Sequence, residues 1–299
     1  MPQALAEEAA HNPFGVVGDR ARRQLAEAVP ALAGDLESFP LSVFGLTSGF
    51  FYVTAAQGRA WGMRDSLVSG VLTIQALGHL HFAFHDAVID DGYAPAIMCL
   101  LSDAALLSYL QGLATLSGQP ASVYQELHRE YYDLYVAAIK RDLAHRDSLF
   151  GYTVDDILGL GDKAAPGAVI VQLIADLTGH PNRGQPTAQA MLRLCTGLQL
   201  VDDLNDSADD AAAGNRTWPV TSALLAYPDL DVTDRGTVEA AVAGSGVAAG
   251  CLKLAADAFA DARGIAGHAD ATVLADLADM WHRRTLRRER LLREALHAT

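Results

Sequence analysis

His85-Asp86-Ala87-Val88-Ile89-Asp90-Asp91 closes an apolar stretch that begins at Met63, with Gly92 and Pro95 just beyond it. Gly and Pro in those places are helix stop signals, so Met63–Asp90 reads as one apolar helix that ends in carboxylates. Asp86 and Asp90 are four apart and share a helix face, roughly 5–6 Å between Cβ atoms. Two carboxylates so placed repel each other, and the macrodipole disfavours anions in a helix's last turn. Both penalties vanish if a divalent cation binds there. Aspartate oxygens suit Mg²⁺, which keeps several waters and takes one or two carboxylates per ion. Asp91 stands beside the pair as a further ligand or a group that orients metal-bound water.

The pattern recurs downstream as Gln199-Leu200-Val201-Asp202-Asp203-Leu204-Asn205-Asp206, followed by Asp209-Asp210. Asp202 and Asp206 repeat the four-residue spacing at the end of an apolar helix, with Asp203 beside them as Asp91 is beside Asp86 and Asp90. Gln199, one turn earlier, reads either as a hydrogen-bond donor to a metal-bound water or an anion, or as an ordinary satisfied helix residue. One acidic helix end is commonplace on a solvated surface. Two such ends can hold several Mg²⁺ ions around one polyanion. A diphosphate fits, because metals bridging its oxygens neutralise the charge that develops as it departs.

The remaining sequence narrows the class. The chain has 299 residues, 51% of them hydrophobic, which is ample for a large core. With 22 basic and 36 acidic residues the net charge is −14, and no basic footprint for nucleic acid is present. Cys99, Cys195 and Cys251 form no metal-type spacing and read as small reduced core residues. Met1–Phe14 contains Glu7 and Glu8 and no apolar signal region, so the expected location is cytoplasmic. Ser66–Phe84, Pro95–Leu116 and Ala164–Leu177 are long apolar runs, but each is interrupted: by Gln75, His79 and His81, by Asp103 and Gln111, and by Gln172 and Asp176. Buried helices of a large helical domain, rather than membrane spans, are the expectation.

Helical periodicity dominates and no alternating strand stands out. Asp19–Ala33, Leu41–Gln57, Met63–Asp90, Ala96–Leu116 and Ala121–Arg146 read as helices. Thr153 caps the next segment, with Asp155 and Asp156 in its first turn. That segment runs to Thr178 with a break at Pro166-Gly167. Thr187–Asp206 is a helix, Asp209–Trp218 a polar loop, and a basic helix over His282–His297 ends the chain. With no linker and no short repeat, residues 1–299 are expected to form one all-α domain.

These motifs, in this order, resemble the trans-isoprenyl diphosphate synthases and, with them, the class I terpene synthases. His85–Asp91 is similar to the first aspartate-rich motif, with Ala87 where a second Asp is usual. Leu101-Ser102-Asp103-Ala104-Ala105-Leu106-Leu107 resembles the helix that follows it. Tyr152-Thr153-Val154-Asp155-Asp156-Ile157 with Lys163-Ala164-Ala165 is similar to the segment leading to a diphosphate-binding lysine. Gln199–Asp206 resembles the second motif, and Gly214-Asn215-Arg216-Thr217-Trp218-Pro219 the basic stretch after it. The resemblance implies an all-α isoprenoid-synthase bundle around an apolar cavity, with Asp86, Asp90, Asp202 and Asp206 at its catalytic Mg²⁺ ions. It implies Lys163, Gln199 and Arg216 as substrate contacts and a prenyl diphosphate as substrate; a homodimer is a further expectation.

The departures from the family shape the functional expectation. Chain-elongating members carry a Gly-Lys-Arg-type stretch that holds isopentenyl diphosphate, whereas the region around Phe39-Pro40-Leu41 has no basic residue. They also carry an arginine pair after the first motif, where this chain has Gly92-Tyr93-Ala94-Pro95. Ala138-Ile139-Lys140-Arg141 stands where a Gln-rich signature is usual. The allylic half is retained and the isopentenyl half is missing. The leading expectation is a terpene cyclase acting on farnesyl or geranylgeranyl diphosphate. The alternatives are transfer of the prenyl group to an acceptor other than isopentenyl diphosphate, and a non-catalytic partner subunit of a prenyl synthase. The retention of both motifs argues against the last.

Phe50, Phe51, Tyr52, Phe82, Phe84, Tyr109 and Trp218 are candidates for cavity walls, since aromatic faces stabilise cations; each is equally readable as core. His81 and His85 have a spacing compatible with Zn²⁺ or a di-iron site, but the Glu-x-x-His partners of such a site are missing. The C-terminal arginines, Arg283 to Arg293, read as a solvated face from which one could cap a bound diphosphate.

Overall fold

The computed structural model describes residues 13–32, 48–90, 96–147 and 151–298, and every regular element among them is helical. In chain order these are α1 (Pro13–Ala28), α2 (Ser48–Ala60), α3 (Asp65–Asp90), α4 (Ala96–Ser117), α5 (Ala121–Asp147) and α6 (Val154–Leu158). A 3₁₀ stretch follows over Gly159–Gly167, then α7 (Ala168–Leu177) and α8 (Pro181–Asn205). The rest is α9 (Ser207–Ala213), α10 (Trp218–Ala226), α11 (Arg235–Gly244), α12 (Val247–His268) and α13 (Thr272–Ala298). The all-α expectation holds.

The described helices group into two compact units that interleave along the chain. The first is built from residues up to 129 together with 169–185, the second from 130–168 and 186 onward. In the first, α3 packs along α4, and α1 and α2 lie against α3. Val71, Ile74, Leu77 and Phe84 of α3 and Leu101, Ala105 and Leu113 of α4 are buried. Glycine permits the close approach on both sides: a Cβ at Gly78 would sit 2.9 Å from the Tyr109 ring, and one at Gly112 would sit 2.8 Å from Ile74. In the second unit α12 and α13 form a long pair. A cluster including Leu204, Val220, Val238, Val242, Cys251 and Leu252 closes its core.

Most local signals are read correctly by the chain. Thr153 caps α6 in a full capping box with Asp156. The break foreseen at Pro166-Gly167 is broader than a kink, since all of Gly159–Gly167 winds as 3₁₀ helix. Three expectations are corrected. The helix carrying the second motif starts at Pro181 rather than Thr187, because Pro181 lies in the first turn, where its missing N–H costs nothing. Asp209–Trp218 is not a loop throughout: Ser207–Ala213 is helical and Gly214 ends it with φ +81°, the left-handed conformation glycine adopts freely. Cys99 is exposed, whereas Cys195 and Cys251 are buried as expected. Residues 41–47 of the second expected helix lie outside the described residues.

By length and composition, Asp65–His85, Cys99–Ser117 and Val154–Leu177 are apolar enough to cross a membrane. The polar residues of the last are bonded internally: Gln172 Nε2 donates to Asp176 Oδ1 at 2.9 Å, and Tyr124 Oη donates to Asp176 Oδ2 at 2.9 Å.

Candidate active site

The second acidic motif is described in full and lies at the junction of α8 and α9. Asp206 is the first residue past α8. Its N–H still donates to the Asp202 carbonyl at 2.9 Å, and the Asp210 N–H donates to the Asp206 carbonyl at 2.8 Å. Helical bonding thus carries across the break and stacks Asp202, Asp206 and Asp210 one turn apart. Burial, then the charge of Asp206, holds Asp202 above the ordinary carboxylate range. Asp210 is raised mainly by burial and again by Asp206, although Asn215 and Thr217 donate to it. The stripe is short of positive charge, which is the condition a cation relieves.

Asp203 points the other way, into the protein, and is 6% exposed. Gln199 Nε2 donates to its Oδ1 at 2.7 Å. Burial nevertheless pushes Asp203 up to about 7, with Gln199 and Lys163 opposing the shift and Asp210 and Asp142 adding to it. Gln199 therefore holds a carboxylate in place, and Asp203 is a buried support beneath the stripe rather than an exposed ligand.

Lys163 sits on the 3₁₀ stretch, which is pressed against α8. A Cβ at Gly161 would lie 2.2 Å from the Leu192 carbonyl oxygen, and the Gly161 N–H donates to Thr196 Oγ1 at 3.2 Å. The ammonium is not solitary. It pairs with Asp142 Oδ1 at 3.1 Å, and Arg146 holds the other oxygen of Asp142 at 3.1 Å. Asp142 went unnoticed in the sequence. The available signal was its four-residue spacing from Arg146 on a helix face, directly after the stretch Ala138–Arg141 that departs from the family pattern.

Arg216 is positioned through its backbone. Its carbonyl accepts from Tyr152 Oη at 2.9 Å and from Thr221 Oγ1 at 3.1 Å. Tyr152 stacks on the buried His145, ring centroids 3.7 Å apart. The guanidinium of Arg216 makes no ion pair among the described residues, so it is available to an anion. Among the C-terminal arginines, Arg288 reaches the motif, donating to Asn205 Oδ1 at 2.6 Å.

The first motif belongs to the other unit. Asp86 and Asp90 fall in the closing turns of α3, as expected; their side chains, and Asp91 altogether, lie outside the described residues. Among the described residues no group of three or more His, Cys, Asp or Glu side chains converges as a metal centre by itself. Mg²⁺ does not require one, since one or two carboxylates with water and phosphate oxygens complete its octahedron. The oxygen-only donors of the Asp202–Asp206–Asp210 stripe fit that demand.

No protein-family model matches the sequence, nor does any curated protein. Solved structures do share the fold. A decaprenyl diphosphate synthase from Rhodobacter capsulatus matches with a TM-score of 0.70 at 20% identity, over 95% of this chain and 98% of that one. A polyprenyl synthase from Roseobacter denitrificans matches at 0.73 and 16% identity, over 95% and 100% of the two chains. A polyprenyl synthase from Caulobacter crescentus CB15, complexed with calcium and isoprenyl diphosphate, matches at 0.70 and 17% identity, over 93% and 96%. The fold is that of the prenyl synthases, as the motif order led one to expect.

Proposed function

We propose that the protein is a divalent-cation-dependent enzyme that cleaves the C1–O bond of a prenyl diphosphate and transfers the prenyl group to an acceptor other than isopentenyl diphosphate. The observation that carries this reading is the carboxylate stripe of Asp202, Asp206 and Asp210, in which burial and then the charge of Asp206 raise Asp202 and Asp210, near a held cation, Lys163. Mg²⁺ held by Asp202 and Asp206 would supply electrostatic stabilisation to a departing diphosphate, and Asp86 and Asp90 of the first motif are the proposed carboxylates for a divalent cation in the first unit. Lys163 and Arg216 bind its oxygens. Asp142 and Tyr152 keep those two residues in position, and Asp203, fixed by Gln199, supports the stripe from below. A calcium ion and an isoprenyl diphosphate together in a protein of the same fold support this pairing of metal and substrate.

Transfer is preferred because these proteins of the same fold are prenyl and polyprenyl diphosphate synthases. An acceptor other than isopentenyl diphosphate is preferred because no basic residue stands near Phe39–Leu41 or in Gly92–Pro95. Cyclisation of the prenyl chain is the second reading, favoured by the packed rings of His81, Phe82, Tyr109 and His128 on α3, α4 and α5 in the first unit. We further take the chain to act as one soluble cytoplasmic domain. The experiment is incubation with Mg²⁺ and geranyl, farnesyl or geranylgeranyl diphosphate, with isopentenyl diphosphate present or absent, followed by diphosphate assay and solvent extraction. Diphosphate release without a longer prenyl diphosphate is expected. Efficient chain elongation would overturn the choice of acceptor, and a cyclic hydrocarbon would favour the second reading.

A further inference from the structure

His81 lies on α3, five residues before Asp86 and so roughly 7.5 Å back along the helix axis. It is 3% exposed. Its Nδ1 is 2.8 Å from Ser102 Oγ and 3.2 Å from the Ser102 carbonyl oxygen. A carbonyl oxygen only accepts, so Nδ1 carries the ring proton. The Ser102 hydroxyl agrees, turning its own hydrogen toward the His81 carbonyl at 3.4 Å. That tautomer leaves Nε2 as a bare lone pair. Nε2 is buried, and among the described residues nothing donates to it.

Aromatic rings pack about this imidazole. Phe82 stands edge-on at 4.7 Å between centroids and His85 at 4.3 Å. His128 lies 6.3 Å from Phe82 and 5.8 Å from Tyr109. Burial is the leading reason that His81 is lowered to about 4 and that His128 is lowered too. These two imidazoles are thus polar yet uncharged at neutral pH. Asp86 follows Phe82 by four residues along α3, and the apolar chain of a diphosphate bound at that helix end is taken to run along this group of rings.

We propose that, where no acceptor takes the prenyl cation, His81 is the proton acceptor that discharges it, through its unpartnered Nε2. This rests on the ionisation step proposed above. In that step the diphosphate leaves with the C–O electron pair. In this one a C–H bond on the carbon next to the cationic centre breaks, its electron pair becomes a new C=C bond, and the proton moves to Nε2. No oxidant or reductant is required. A carbocation with such a hydrogen is a very strong acid, so a weakly basic imidazole suffices. An uncharged base also neither competes for the metal nor draws water into the site, as a carboxylate would. The imidazolium formed there is unstable in its apolar surroundings and passes its proton to solvent or diphosphate when product leaves.

The test uses the full chain with Mg²⁺ and farnesyl diphosphate, with no acceptor added. The cation then has two exits: proton loss to alkenes, or capture by water to alcohols. The alkene-to-alcohol ratio is measured for the wild type, His81→Asn, His81→Phe and His79→Asn. His81→Phe keeps a ring among rings and removes a buried unpaired acceptor, so it is expected to fold even if His81→Asn does not; circular dichroism checks both. Expected is a fall in the ratio of about tenfold or more in both His81 variants, with His79→Asn unchanged. An unchanged ratio in either folded His81 variant would assign His81 to packing alone and overturn the inference. Absence of diphosphate release by the wild type from any of the three prenyl diphosphates would instead overturn the ionisation reading beneath it.

Discussion

Asp203 in the second unit and His81 in the first are similarly hidden, 6% and 3% exposed, and burial drives both toward their neutral forms. The routes differ. Asp203 is surrounded by charge, with Lys163 opposing its shift and Asp142 and Asp210 adding to it, and it rises to about 7. His81 has only the polar atoms of Ser102 and the neighbouring imidazoles, and it falls to about 4. One region therefore keeps its charges and balances them against each other, so a cation or an anion entering it finds partners already in place. The other suppresses charge, which suits a chain of apolar carbons.

The largest expected effects break the charged region. Asp202→Ala and Asp86→Ala should each lower diphosphate release by about 10²–10³, the usual cost of removing one preorganised electrostatic contact. Asp103→Ala, exposed and outside the metal set, should stay near wild type. Near-normal turnover in Asp202→Ala would reduce the stripe to a solvated helix end. Lys163→Met comes next, with binding of the prenyl diphosphate about tenfold weaker, a change of ~1.4 kcal/mol. It also leaves Asp142 without one of its two cations. Adding Asp142→Asn should restore the melting temperature and leave binding weak, whereas restored binding would show that Lys163 serves the fold alone.

Melting temperature against pH separates the two regions by sign. An acid whose folded value is raised to about 7 binds more protons folded than unfolded, so its contribution is lost as pH rises from near 4 through 7. Asp203→Asn should therefore gain several degrees at pH 8 relative to its gain at pH 5. A histidine lowered to about 4 binds fewer protons folded, so stability is lost as pH falls from 6.5 toward 4. His81→Phe should show its stabilisation at pH 5 and little at pH 8. The same trend in both variants would mean that the contrast is mistaken. The smallest effect belongs to the capping box: Thr153→Ala should cost about 1 kcal/mol in urea unfolding and leave the pH trends alone.

Much of this was legible in the sequence where one residue type does one thing. Gly and Pro marked helix ends, the apolar runs marked α3 and α4, and four-residue spacing placed Asp202 and Asp206 on one face. What stayed hidden depended on neighbours distant in sequence. The partner of Lys163 stayed hidden because Asp142 reaches it from α5. Gln199 was open between two readings until its hydrogen bond to Asp203 was seen. The histidines suggested a metal site by spacing alone. Ser102, on another helix, is what fixes the tautomer of His81 and gives it a different use. The stretch after Asp206 read as a loop because its acids and glycine resemble loop composition, while Ala208, Ala211 and the neighbouring core were enough to hold it helical.

Metal dependence probes the charged region most directly. Diphosphate release from farnesyl diphosphate should be measured with Mg²⁺, after chelation by EDTA, and after Mg²⁺ is restored. The carboxylate stripe predicts turnover with Mg²⁺, none above background in EDTA, and recovery on restoring the metal. Undiminished release in EDTA would contradict the assignment of Asp202 and Asp206 to a metal-bound diphosphate, and the proposed function with it.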